Sequence, residues 1–89
     1  MMKKRKDVML LLFGNKTIGQ TIRDVRKSKK ISQEVLSGLA GIGRTHLTMI
    51  ESGTKQANFA TLCKIANALE MNPSELVQKI EEHWEANQK

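Results

Sequence analysis

The chain contains one cysteine, one proline, no tyrosine and only three aromatic side chains. The lone Cys63 leaves no intramolecular disulfide and no cysteine-based zinc cluster, which fits a reducing cytoplasm. Its expected place is a buried position on a helix. Three aromatics cannot fill a core, so the 39% of residues that are apolar must do it with Leu, Ile, Val, Ala and Met at helical spacings. No apolar run approaches the roughly 20 residues needed to cross a bilayer. The longest, residues 8–13, follows Lys3, Lys4, Arg5 and Lys6 in the order of a secretory leader. It is shorter than a leader's apolar region, and Gly14-Asn15-Lys16 stands where a cleavage site belongs. We expect it to form a short strand or an extra helical turn against the domain or a second subunit.

Catalytic constellations are missing as well. His46 and His83 are the only histidines, and there is no nucleophile–base pair at motif spacing, no HExxH and no phosphate-cradling glycine loop. Glu81, Glu82, His83 and Glu85 crowd one stretch, but neighbours on a helix point in different directions. A solvated acidic face is expected there, and no enzyme activity, cofactor or metal site.

What the chain does have is positive charge, with fifteen Lys and Arg against nine Asp and Glu for a net +6. The charge is uneven: residues 1–30 carry +8, residues 31–69 carry +1 and residues 70–89 carry −3. A basic end on a small domain points to a polyanion, nucleic acid first.

At 89 residues the chain closes one core. We expect an all-α, compact five-helix bundle over residues 17–84, preceded by a basic and apolar extension (1–16) and followed by a loose tail (85–89). The first helix, residues 17–29, has Ile18, Ile22 and Val25 on one stripe. Ser32 caps the second, which runs to about Leu39 and breaks at Gly41. The third covers residues 44–51 with Leu47 and Ile50 inward and Gly53 as its stop. Asn58 caps the fourth, which carries Leu62, Ile65, Ala66 and Leu69. Asn72-Pro73-Ser74-Glu75 opens the fifth, with Leu76, Val77, Ile80 and Trp84 on one face.

The informative stretch is residues 32–53. It reads as two short amphipathic helices with a turn at residues 40–43, too tight for antiparallel packing, so that the second crosses the first steeply as in a DNA-binding helix-turn-helix. The second of the pair is poor in charge except at its start, which suits a groove where side chains meet base edges.

The chain here resembles the helix-turn-helix family of Cro and phage repressors, the XRE-type regulators, over residues 17–77. The likeness rests on Ile18-Gly19, Ile22-Arg23, Arg26, Ser32-Gln33, Leu36, Gly41, Ile50, Glu51, Gly53, Leu62, Ile65-Ala66 and Leu69 in one register. Departures are Ser37 for a small Ala, Gly38 inside the second helix, Gly43 for a capping Ser or Thr, and Ala57 for a Pro. Together they suggest a modestly stable domain. Within the family, Arg44-Thr45-His46 and residues 51–55 are most similar to the controller proteins of restriction–modification systems, with His46 in place of their aromatic residue.

From these residues a site can be written down. Arg44 is expected to read a base, since a guanidinium in the major groove can hold guanine O6 and N7 together. Thr45, His46, Thr48 and Met49 complete the outward face of the third helix. Ser32, Gln33, Gly43, Lys55 and Asn58 are expected on the DNA backbone, the helix starts by their free N–H groups and Gln33 by the resemblance, which also implies that it braces the third helix. The resemblance also implies a structural salt bridge between Arg26 and Glu51. The Lys3 to Lys6 cluster is expected as a solvated run that can also reach phosphate.

The resulting expectation is a cytoplasmic, nucleoid-associated bacterial or phage homodimer on a palindromic double-stranded operator, acting as repressor or autoregulator. Two other classes remain open. One is an antitoxin-like or controller protein of a two-gene system that binds operator DNA and a protein partner from the same operon. The other is a non-specific nucleoid binder, with steep salt dependence and no preferred sequence.

Overall fold

The computed structural model describes residues 14–87, and within them the chain forms five α-helices and no strand. They are α1 (Gly14–Ser28), α2 (Gln33–Ala40), α3 (Arg44–Ser52), α4 (Phe59–Ala68) and α5 (Pro73–Ala86). The all-α five-helix expectation therefore matches the structure. The Lys3 to Lys6 cluster, the run at residues 8–13 and the last two residues of the tail lie outside the described residues.

Each helix boundary has a local cause. Ser32 sits in extended backbone and its hydroxyl accepts from the Val35 N–H at 3.0 Å, so α2 begins where the sequence places its cap. Gly41 ends it with φ of 71°, a left-handed conformation that costs glycine nothing. Asn58 caps α4 through a 2.8 Å bond from the Thr61 N–H. At α5, Pro73 occupies the first turn and Glu75 Oε1 reaches back to the Asn72 N–H at 2.7 Å. Replacing Ser32 with Ala strands the Val35 donor, and urea titration should show a loss of about 1 kcal/mol.

Two boundaries differ from expectation. The first helix starts at Gly14, three residues before Thr17, where the end of α3 backs onto it: a Cβ on Gly53 would stand 3.0 Å from Lys16 Cα. The fifth runs on to Ala86, so the first two residues of the expected tail are helical.

The core is aliphatic. Ile22, Leu36, Leu47, Ile50, Ile65, Leu69, Leu76 and Ile80 are its largest sealed side chains, and Trp84 packs at its edge. Helix α1 lies against α3 and α5, α2 against α3 and α4, and α4 against α5, so α3 is clamped between the first two helices. Ser37, buried in place of the family's Ala, donates its hydroxyl to the Glu34 carbonyl at 3.1 Å and so leaves no unpaired polar group. Cys63 is a correction: it is half-buried, facing partly outward from α4, because Ile65 and Ala66 take the inward positions.

Candidate nucleic-acid interface

Helices α2 and α3 are joined by residues 41–43, and the turn is closed by the Ile42 N–H on the Ser37 carbonyl at 3.0 Å. Leu47 and Ile50 fix α3 from below, with exposures of 0% and 1%. The opposite side presents Arg44, Thr45 and Thr48 to solvent, with His46 and Met49 half-buried at its margins. Arg44, Thr45 and His46 side chains make no hydrogen bond to another described residue. Gly43 gives α3 no side-chain cap, so the first N–H groups of the helix remain open beside Arg44.

Beneath this face lies a buried ion pair. Arg26 Nε meets Glu51 Oε2 at 2.7 Å and Arg26 Nη2 meets Glu51 Oε1 at 3.0 Å. The two side chains are 9% and 2% exposed, so the pair is shielded from water and both groups depend on each other. The remaining Arg26 amino group donates to the Ile31 carbonyl at 2.9 Å, which ties the loop between α1 and α2 into the same cluster. The pairing of Arg26 with Glu51 that the resemblance implies is thus present, and Arg26 adds nothing to the outer positive surface.

The pair extends outward. Gln33 Nε2 donates to Glu51 Oε1 at 3.0 Å, and the Gln33 amide oxygen accepts from the Thr48 hydroxyl at 3.0 Å. Thr48 also donates to the carbonyl of Arg44, one turn back, at 3.0 Å. Arg26, Glu51, Gln33, Thr48 and Arg44 therefore form one connected chain from the core to the surface of α3. Sequence spacing did not reveal the Gln33–Thr48 contact, since it joins two helices across the turn.

The other expected backbone contacts each have a local partner. Ser32 accepts with its hydroxyl oxygen and keeps its proton for an outside acceptor. Lys55 is exposed, and its N–H donates to the Met49 carbonyl at 3.1 Å, which fixes the loop to the end of α3. Asn58 uses its side-chain oxygen on α4 and keeps its amide N–H groups. Gly19 marks the place where α1 meets the end of α3, since a Cβ there would stand 2.8 Å from the Glu51 carbonyl oxygen.

A helix-turn-helix family model matches residues 22–76. Control protein C.BamHI of Bacillus amyloliquefaciens is 37% identical over 68 residues, covering 75% of this chain and 78% of that protein. The immunity repressor protein of Bacillus phage phi105 is 34% identical over 61 residues and 68% of this chain. The chain spans only 42% of that repressor's length, and as little as 31% of another relative's. Among solved structures, the restriction-modification controller protein C.AhdI from Aeromonas hydrophila superposes with a TM-score of 0.67 at 34% identity, covering 70% of this chain and 94% of that one.

Proposed function

The chain belongs to the helix-turn-helix family, and we propose that it is a DNA-binding transcriptional regulator that reads an inverted repeat as a homodimer. One observation carries the reading. The inner side of α3 is fixed by the core and the Arg26–Glu51 pair, while Arg44 and Thr45 at its open N-terminus stand exposed and unengaged. A rigid helix with free donors at its leading end is what base readout in the major groove requires.

In this reading Arg44 holds a guanine through two parallel bonds, Thr45 and His46 contact the neighbouring positions, and Met49 meets a thymine methyl. Ser32, Gln33, Lys55, Asn58 and the open N–H groups after Gly43 hold phosphates and set the register. Two copies place their α3 helices about 34 Å apart, one turn of the duplex. The protein works in the cytoplasm on the nucleoid, by binding and not by catalysis. Similarity to two controller proteins, each aligned over most of its length, favours a controller role over neutralisation of a partner protein.

Selection from a random duplex pool at about 150 mM salt tests this directly. An enriched inverted repeat is expected; binding without enrichment that vanishes as salt rises would replace the reading with non-specific association. On the enriched repeat, Arg44→Ala should lose about 1–3 kcal/mol and relax preference at one base position. Lys55→Ala should weaken all sequences alike and flatten the salt slope by about one. Equal behaviour of the two variants would undo these roles.

A further inference from the structure

Two side chains expected to face DNA are already bonded to each other in the free protein. The Gln33 amide is held at both ends, its nitrogen by Glu51 and its oxygen by Thr48, each at 3.0 Å. Turning the amide over would set its oxygen against the Glu51 carboxylate, two acceptors with no proton between them. Glu51 itself cannot shift to accommodate this, because Arg26 holds both of its oxygens. Of the two amide hydrogens, one is taken by Glu51 and one is left to give.

Thr48 is committed in a similar way. Its hydroxyl has a single proton, which lies between the Gln33 oxygen and the Arg44 carbonyl, both at 3.0 Å. None remains for a base edge. The same hydroxyl thus touches the first residue of α2 and the first turn of α3, the two places where the backbone anchor and the base reader are mounted.

We infer that Thr48 is a positioning residue and not a base contact: it closes a relay from Arg26 through Glu51 and Gln33 that holds the phosphate anchor on α2 and Arg44 on α3 at one fixed spacing. This assignment rests on the DNA-reading role proposed above. Its consequence is that specificity at the base read by Arg44 depends on a hydroxyl that does not touch that base. A loose Gln33 amide lets α3 settle at more than one depth, and the wrong base then costs less.

A double-mutant cycle separates the possibilities. Wild type, Gln33→Ala, Thr48→Val, the double variant and Thr48→Ser are titrated onto the selected repeat and onto the repeat altered at the position that Arg44→Ala relaxes. Thr48→Val should bind the selected repeat about tenfold more weakly and discriminate the altered one less, with a thermal midpoint within about 3 °C of wild type. Thr48→Ser, which keeps the hydroxyl, should recover most of the loss. The double variant should bind no more weakly than Gln33→Ala alone, because both losses pass through one group. Losses that add would show Thr48 touching DNA itself and overturn the assignment. So would an unaffected Thr48→Val, or a Thr48→Ser as weak as Thr48→Val. A wild type that does not prefer the repeat over a scrambled duplex is read before any variant, and it removes the DNA-reading role and this assignment together.

Discussion

Glu51→Ala is expected to lose about 3–5 kcal/mol of folding stability, the usual consequence of removing one member of a buried charge pair. The Glu51 carboxylate takes Arg26 Nε at 2.7 Å, Arg26 Nη2 at 3.0 Å and Gln33 Nε2 at 3.0 Å. Without it, a guanidinium only 9% exposed keeps the Ile31 carbonyl as its one hydrogen-bond acceptor among the described residues and has lost the charge that balanced it. Alanine also leaves a space between α1 and α3 that neither helix can close. A domain of this size has on the order of 5–10 kcal/mol in total, so the variant should sit close to its unfolding midpoint at physiological temperature. Arg26→Met should be about as damaging, since it leaves the carboxylate in the same enclosure. The double replacement Arg26→Met with Glu51→Met should recover much of the loss, because no charge is stranded and two apolar chains fill the gap. Urea unfolding of wild type, Arg26→Met, Glu51→Met and the double variant decides the matter. A double variant as unstable as the sum of the singles would mean that the pair matters for shape and not for mutual compensation.

How far the residues foretold this arrangement depends on how local its causes are. Ser32, Asn58, Gly41 and Gly53 act within a turn of themselves, and their caps and stops are legible from spacing alone. The aliphatic stripes of Ile22, Val25, Ile50, Ile65 and Ile80 follow from helical periodicity, and they lie in the core as read. Non-local contacts were legible only where the resemblance supplied them, as with Arg26 and Glu51. The Gln33–Thr48 bond joins positions fifteen residues apart across a crossing whose depth no periodicity fixes. Cys63 and the extra turn at Gly14 turn on which neighbour happens to lie alongside, and that is decided by tertiary packing.

The same limit applies to glycine, where one substitution should have opposite signs at two positions. Gly38→Ala lies on an exposed side of α2 with nothing within 4 Å of the added methyl. It should stabilise the domain by about 1 kcal/mol through helix propensity. Gly19→Ala gains the same propensity inside α1, but its Cβ would fall on the Ile50 carbonyl oxygen and stand 2.8 Å from the Glu51 carbonyl oxygen. Those atoms are backbone of the last turns of α3, so no side chain can swing aside and one helix must move away from the other. Overpacking of this kind costs about 1–3 kcal/mol and sometimes more. Here the cost should be at or above the upper end, because separating the helices also stretches the Arg26–Glu51 bonds. Thermal melts of the two variants should therefore shift in opposite directions, and a neutral Gly19→Ala would mean that α1 and α3 have slack the packing does not show. Since Glu51 also holds the Gln33 amide, a displaced α3 should weaken binding to the selected repeat even at temperatures where Gly19→Ala remains folded. Gly38→Ala leaves that path untouched and should bind as wild type does.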